Sequence, residues 1–255
     1  MRRERLRRAL FRAAALTREA ATNAWRRALR EAHIQFFYTA ADDGAAVAAL
    51  LKKRFADIKR QPCTLLTVPL AVDTVRRGEE HMAVGQAKLT MGFSIDAHEP
   101  DKARIAAARL TATLFGGCEH SLLFRHVREE MSLCYYCSAA FNRVKGMITV
   151  RSGVDAADVG RAEKEILRQL ARMQAGEFSD DTLAAARRRL IGSLRENEDL
   201  QSSLFSWYRA QTLYPPFVTP AEAIRDIERV TREQVIDMAN TVRLCGVFTL
   251  LPEEE

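Results

Sequence analysis

Apolar and polar residues alternate, or recur at helical spacing, along most of this 255-residue chain. Over 86–95, four apolar residues occupy every second position (Ala87, Leu89, Met91 and Phe93), which is typical of a strand with one buried face. Helices are predicted at 102–114, 121–131, 156–174, 180–197, 200–213, 219–228 and 232–240, and further strands at 133–141, 147–152 and 243–251. Caps at Ser179 and Thr231 mark two of the helix starts. This order favours an α+β fold, a mainly antiparallel sheet covered by helices on one face.

The first sixty residues have a different pattern. Helix-favouring residues run from 2 to 31 with a break near Thr17, which is a suitable cap for a second helix. An aromatic run at 33–38 predicts a strand, and a further helix ends near Phe55; a β-like run follows at 64–68. A helix–strand–helix piece of this size is too small for a core of its own, so we expect it to join a larger sheet. An unpaired strand at 33–38 would also favour self-association, for example as a dimer.

The composition is that of an ordinary globular protein, with 47% hydrophobic and 28% charged residues. No apolar run approaches the roughly 18 residues that a membrane span needs. The five cysteines are an odd number and no secretory signal pattern is present, so we expect reduced thiols and a cytoplasmic location. The net charge of +6 collects in the arginine-rich first thirty residues. A solvated helix face accounts for it, acidic residues disfavour a transit peptide, and without a nucleic-acid-binding motif we expect no specific nucleic-acid partner.

No zinc-protease signature is complete. A His-x-x-Glu-His helix places two imidazoles on one face, with the glutamate as general base. The pairs Glu80-His81 and Glu119-His120 have Arg77 and Gly116 where the first histidine would stand. We therefore expect no metal ligand, no catalytic residue and no cofactor in this chain.

Cys134-Tyr-Tyr-Cys137 has the spacing of a redox motif, but it falls in a predicted strand. Residues three apart on a strand point to opposite faces, so we expect two separately packed thiols. Cys118 and His120, one residue apart, lack the geometry of a nucleophile–base pair and are interpreted as a helix entry.

Arg128 and Tyr135 carry the clearest chemistry, one at a predicted helix end and the other at the start of the next strand. Arginine offers a fork of donors to carbonyl or carboxylate groups. A tyrosine hydroxyl can donate to the oxyanion that develops when a peptide bond is attacked. A helix end followed at once by an inner strand could direct both into one cleft. The alternative is an exposed arginine paired with Glu129 or Glu130 and two half-buried sheet tyrosines.

Several short motifs occur in a fixed order. They are Gln86-Ala-Lys-Leu-Thr-Met-Gly-Phe, Leu114-Phe-Gly-Gly, Ser121-Leu-Leu-Phe-Arg-His-Val-Arg-Glu-Glu, Ser132-Leu-Cys-Tyr-Tyr, Lys145-Gly146 and Ser152-Gly153-Val154-Asp155. Their order and spacing resemble the second, non-zinc half of pitrilysin/insulinase-like metalloproteases, the inverzincin group, in its bacterial processing-protease-like branch. The resemblance implies three segments: 1–60 as the C-terminal part of a first insulinase-like half-domain, 61–85 as linker, and 86–255 as the second half-domain.

In that family two homologous halves close around a peptide. One half brings the zinc ligands and the base, and the other brings an arginine and a tyrosine that hold the substrate. Arg128 and Tyr135 match that pair, whereas Tyr136 does not. The resemblance therefore implies a peptide-binding half that is inactive alone and that needs a zinc-bearing partner half, or a second copy, for hydrolysis, with zinc held only by the partner.

Two alternatives remain open. The chain could be a catalytically inactive structural or assembly subunit, since core subunits of respiratory complexes resemble these proteases. It could also be a regulatory peptide-binding domain whose basic helix attracts anionic partners.

Overall fold

The computed structural model describes residues 16–64, 74–97, 101–212 and 217–253. The chain divides into two compact units, Met1–Leu66 and Thr67–Glu255. Most of the helix predicted before Thr17, and most of the β-like run that follows Cys63, lie outside the described residues.

The first unit contains helices α1 (Arg18–Glu31) and α2 (Ala45–Phe55). Thr17 caps α1 as its position predicted, because its hydroxyl accepts a hydrogen bond from the backbone N–H of Ala20. Arg60 satisfies the other end of α1: its guanidinium donates to the carbonyls of Leu29, at 2.7 Å, and Ala32, at 2.6 Å.

The strand predicted at 33–38 is wrong. This segment joins no strand among the described residues, and Phe36 instead packs edge-on against Phe55, with ring centroids 5.5 Å apart. Aromatic and β-branched residues favour a strand only when another strand is there to pair with them.

The second unit is built on a five-stranded sheet with the spatial order β1-β5-β2-β4-β3. The strands are β1 (Arg76–Met82), β2 (Ala87–Ser94), β3 (Cys134–Asn142), β4 (Met147–Val154) and β5 (Arg243–Pro252). β1 runs parallel to β5, and the other three pairings are antiparallel. The sheet is mainly antiparallel, as the sequence predicted.

Helices cover one face of this sheet. They are α3 (Lys102–Ala112), α4 (Phe124–Glu130, a wide π-type helix), α5 (Val159–Gln174), α6 (Asp180–Asp199), α7 (Gln201–Gln211), α8 (Pro220–Glu228) and α9 (Arg232–Ala239). The alternating apolar residues of β2 are at most 1% exposed and belong to the shared core, while the residues between them are partly exposed. The predicted α+β class is confirmed.

One strand lies in the range predicted as linker, 61–85. β1 pairs with β5 from Arg76 opposite Gly246 to Met82 opposite Pro252. Its sequence, Arg-Arg-Gly-Glu-Glu-His-Met, has no alternating apolar side, because β1 is a largely exposed edge strand. Hydropathy carries no signal for a strand that is held mainly by main-chain hydrogen bonds.

Polar caps start the later helices. The caps predicted at Ser179 and Thr231 form, since their hydroxyls accept from the third backbone N–H of α6 and α9. α8 begins with a full capping box, in which Thr219 accepts from the N–H of Glu222 and the Glu222 carboxylate accepts from the N–H of Thr219.

Candidate substrate-binding site

The connection from α3 to α4 passes close to the sheet. α3 continues as a π-type turn over Thr113–Gly117, and Gly116 is buried against β3. A Cβ placed on Gly116 would lie only 2.8 Å from both the backbone nitrogen and the Cβ of Ala139. Only glycine permits this approach, which fixes where α4 starts and therefore where its C-terminal residues lie.

Arg128 lies in the last turn of α4 and is exposed to solvent. Its guanidinium carbon lies 4.6 Å from the ring centroid of Phe124, one helical turn earlier. Among the described residues Arg128 forms no ion pair with Glu129 or Glu130, because Glu130 binds His126 instead, with 2.6 Å between Oε2 and Nδ1. The donors of Arg128 therefore face solvent with the side chain oriented by an aromatic ring.

Tyr135 sits at a β-bulge. Cys134 pairs with Val154 and Tyr136 pairs with Gly153, so Tyr135 is an extra residue with no partner on β4. The Tyr135 side chain is 63% exposed, and its hydroxyl donates to Oδ1 of Asp155 at 3.3 Å. The bulge thus projects the phenol out of the sheet edge.

Because of the same bulge, the prediction that Cys134 and Cys137 point to opposite faces of the strand is wrong. Cys134 and Cys137 are both buried in the core, on the same face, because the extra residue between them shifts the alternation. A hydrogen bond from Cys137 lowers the pKa of Cys134, while the pKa of Cys137 is raised. The charge of Arg128 also lowers the pKa of Cys134, so that guanidinium is electrostatically coupled to the residue next to Tyr135.

The structure therefore places Arg128 and Tyr135 on consecutive elements, both exposed, on either side of Cys134 in the chain. Each is held by a separate neighbour, Phe124 for the arginine and Asp155 for the tyrosine. No hydrogen bond joins the two side chains within the part of the chain that the structure describes.

Sequence reasoning missed two supporting residues. Asp155 follows β4 directly, and its contact with Tyr135 depends on strand pairing that no local pattern indicates. His126 binds Glu130, and its Nε2 lies 3.4 Å from Nη1 of Arg172 on α5. The spacing of four residues between His126 and Glu130 is the signal that could have identified that pair.

The described residues do not fit a catalytic zinc. Such a site needs three protein ligands around an open position. Over residues 16–64, 74–97, 101–212 and 217–253, no three side chains of His, Cys, Asp or Glu are grouped closely enough to hold a metal ion. None of the helices in these ranges is both long and apolar enough to span a bilayer.

Residues 15–190 match the family described as the Peptidase M16 inactive domain. This chain belongs to that family. Over 167 residues it is 28% identical to the "Probable inactive metalloprotease YmfF" of Bacillus subtilis (strain 168), an alignment that covers 66% of this chain and 39% of that protein. The match confirms the resemblance to the non-zinc half of pitrilysin/insulinase-like proteins.

Two solved structures show the same fold. A conserved protein from Enterococcus faecalis V583 matches with a TM-score of 0.82 and 22% identity over 95% of this chain and 57% of that chain. The peptidase M16 inactive domain from Pseudomonas fluorescens matches with a TM-score of 0.67 and 20% identity over 85% of this chain and 52% of that chain. This member of the M16 family thus spans less than two thirds of the length of each of these relatives.

Proposed function

We propose that this chain is the non-catalytic, peptide-binding half of a zinc-dependent insulinase-like endopeptidase and that hydrolysis requires a zinc-bearing partner half. In this proposal, residues 1–60 come from the end of a preceding half-domain and 86–255 form the substrate-binding half. The cytoplasmic location and the self-association stay predictions. Membership of the M16 inactive-domain family supports the proposal.

The observation that carries the proposal is the β-bulge at Tyr135. A regular strand would pair this residue with β4, whereas the bulge leaves it unpaired and exposes its phenol. Bulges are over-represented next to active sites, where they re-aim a side chain. The bulge follows shortly after the arginine-bearing end of α4, so a positive charge and a hydroxyl donor are presented to solvent on neighbouring elements.

The present contacts of Tyr135 and Arg128 leave both side chains able to bind a substrate. The hydroxyl of Tyr135 donates to an exposed carboxylate over a long 3.3 Å hydrogen bond, which costs little to exchange for a bond to a substrate carbonyl or oxyanion. The stacked guanidinium of Arg128 keeps its donors available for a peptide carbonyl or carboxylate. Neither group supplies a base or a metal-bound water, so the proposal assigns them binding and positioning only.

Reconstitution with the zinc-bearing half tests this assignment. The partner is first identified by native co-purification of the tagged chain from its source cells, followed by a search of the recovered proteins for His-x-x-Glu-His. The isolated chain is expected to cleave no peptide, and the mixture is expected to cleave it. Tyr135→Phe and Arg128→Ala should each lower kcat/KM of the mixture by roughly ten- to hundredfold, the cost of losing a charge-assisted or oxyanion-directed hydrogen bond.

Two neighbours provide matched controls. Tyr136→Phe removes a hydroxyl one residue along the same strand, and Arg125→Ala removes an exposed arginine from the same helix. Both are expected to leave kcat/KM within about twofold of the parent value, as for surface substitutions away from a site. Equal activity in the parent, Tyr135→Phe and Arg128→Ala mixtures would overturn the site assignment.

The name of the Bacillus relative, a probable inactive metalloprotease, favours one alternative, a structural or assembly subunit. That alternative predicts recovery of partners without the zinc signature. It also predicts full complex assembly in the Tyr135→Phe and Arg128→Ala variants and no saturable peptide binding by the assembled complex. These outcomes together would replace the peptidase proposal.

A further inference from the structure

The sheet of the second unit has a second face, opposite the helices, which we call the open face. Leu89 and Met91 of β2 point into the core under the helices, so Thr90 and Gly92 point to the open face. Residues paired directly across neighbouring strands share a face of the sheet. The pairings therefore place two adjacent rows on the open face, one of Gly78, Phe248, Thr90, Arg151 and Ser138, and one of Arg76, Gly246, Gly92, Thr149 and Ala140.

A groove of about 450 Å³ lies on the open face, over a pair of glycines. Gly92 and Gly246 pair directly and both line the groove, so its floor is backbone. Phe248 and Met147 supply apolar walls: the ring of Phe248 is 42% exposed, and the methyl of Met147 would lie 3.0 Å from a Cβ built on Gly92. The volume falls in the usual range for ligand pockets, and the groove has room for an apolar side chain of a ligand.

Two arginines stand on opposite sides of this groove. Arg76 of β1 pairs with Gly246, and Arg151 of β4 pairs with Thr90, two residues before Gly92. Both arginines are exposed, and in the part of the chain that the structure describes neither side chain makes a hydrogen bond, an ion pair or a ring contact. β1 and β4 are three strand spacings apart, which with the offset of two residues along the strands separates the two arginine positions by roughly 14–16 Å.

Positive charge prevails on the open face. Three further charged residues occupy its described strand positions, Lys88, Arg243 and Glu80. Lys88 is held by Gln86, whose Oε1 accepts from Nζ at 2.7 Å, and Arg243 donates to two nearby backbone carbonyls. Glu80 is the one acidic residue of this set, so the two arginines beside the groove remain without a matching negative charge on the described strands of this face.

We propose that the open face binds an extended acidic peptide, with an apolar side chain in the groove and an acidic residue two positions away on each side. Alternate side chains of an extended chain point the same way, and residues four apart are roughly 13 Å apart, close to the separation of Arg76 and Arg151. Each guanidinium offers a carboxylate a fork of donors. The inference rests on the proposed function: it assigns the choice of peptide to the open face and leaves Arg128 and Tyr135 their role.

Fluorescence anisotropy of labelled peptides, titrated with the full chain, tests this pattern. The peptide Gly-Glu-Ser-Phe-Ser-Glu-Gly has the proposed spacing and is expected to bind with a Kd of roughly 10–500 µM. Its isomer Gly-Ser-Glu-Phe-Glu-Ser-Gly has the same composition, but its acidic residues point away from the phenylalanine side, so it should bind about fivefold more weakly. Replacing both glutamates with lysine, or the phenylalanine with alanine, should weaken binding about tenfold or more.

Variants of the chain identify the residues involved. Arg76→Gln and Arg151→Gln should each weaken binding of the first peptide about threefold to fivefold, the effect of one exposed ion pair. Phe248→Ala should weaken it about fivefold or more, because the groove loses an apolar wall. Arg151→Glu should bind the lysine peptide more tightly than the parent chain does. Arg195→Gln removes an exposed arginine from α6 and should leave the binding of every peptide unchanged.

Equal binding of the two isomers, unchanged binding in both arginine-to-glutamine variants, or no saturable binding of any peptide to the folded chain would each overturn this inference. Tighter binding of a thymidine oligonucleotide than of the first peptide would overturn it too, because the face would then be a general polyanion site. The proposed function is decided separately, by hydrolysis with the zinc-bearing half. Peptide binding that follows charge and spacing in a chain that never supports hydrolysis would keep this inference and reject the peptidase role.

Discussion

Gly116 and Gly117 allow a stringent test of the packing between α3 and the sheet, because the same change should destabilise the protein at Gly116 and have little effect at Gly117. A Cβ at Gly116 would lie 2.8 Å from the backbone nitrogen and the Cβ of Ala139 and 3.0 Å from a terminal carbon of Leu123. A Cβ at Gly117 would meet only the side chain of Thr113, at 3.2–3.3 Å, and this glycine is exposed.

The expected loss of stability in Gly116→Ala follows from the displacement that the added Cβ forces on its neighbours. Non-bonded carbon atoms attract best at roughly 3.5–4.0 Å, so Gly116→Ala forces β3 and the helix end apart, and overpacking of this kind costs about 1–3 kcal/mol. For a unit of this size, 1 kcal/mol corresponds to about 2–4 °C in Tm, so we expect Gly116→Ala to lower Tm by roughly 2–12 °C. Gly117→Ala should stay within about 0.5 kcal/mol of the parent.

The stability of both variants is measured by thermal and urea unfolding, with circular dichroism as the signal. The slope of the free energy with urea should be unchanged in each, which separates a change in stability from a change in the unfolded state. If Gly116→Ala unfolds at the same temperature as Gly117→Ala, the close approach of Gly116 to β3 is not a constraint, and the placement of α4 needs another explanation.

Three further outcomes are expected. Thr219→Ala should lower the unfolding free energy by about 1 kcal/mol, because it removes the N-cap of α8; an unchanged urea midpoint would contradict that cap. Hydrogen bonds from Thr219 lower the pKa of Glu222 below its ordinary 4.5, so the stabilisation is present above pH 4.5 and is lost as the pH falls through the lower folded value. Glu222→Gln should therefore lose less stability than the parent between pH 6 and pH 3, and parallel pH profiles would exclude the linkage. Finally, Cys137→Ala should slow iodoacetamide alkylation of Cys134 at pH 7 severalfold, since the hydrogen bond that lowers the pKa of Cys134 is gone. Mass spectrometry measures the alkylation rate at each cysteine, with exposed Cys63 as the internal control. An equal or faster rate at Cys134 in the variant would refute this.

The elements of the second unit could be predicted because their burial is periodic. The alternation along β2 and the helical spacing of α5 to α9 report which residues face one shared core. Caps such as Ser179 and Thr231 marked helix starts, because short polar side chains satisfy the first backbone N–H groups. The failures at β1 and at 33–38 have one cause: whether a segment becomes a strand depends on a distant partner, which local hydropathy does not contain.

The candidate site could be predicted only in part. Arg128 and Tyr135 were selected by their residue types and by a family resemblance, and the structure shows both exposed on consecutive elements. The bulge that exposes Tyr135 was not predicted, because an extra residue in a strand pairing is a property of two strands together.

The two outermost strands of the described sheet, β1 and β3, have consequences for how copies of this protein behave at high concentration. β1 exposes a row of charged residues, and β3 starts with a bulge. Charged edge strands and bulges both hinder the addition of a foreign strand, which is the usual first step towards fibrillar aggregation. Contacts between this unit and another protein should therefore be made by side chains on its surfaces rather than by extension of the sheet. Replacing the charged residues of β1 with apolar ones would remove that protection without disturbing the core.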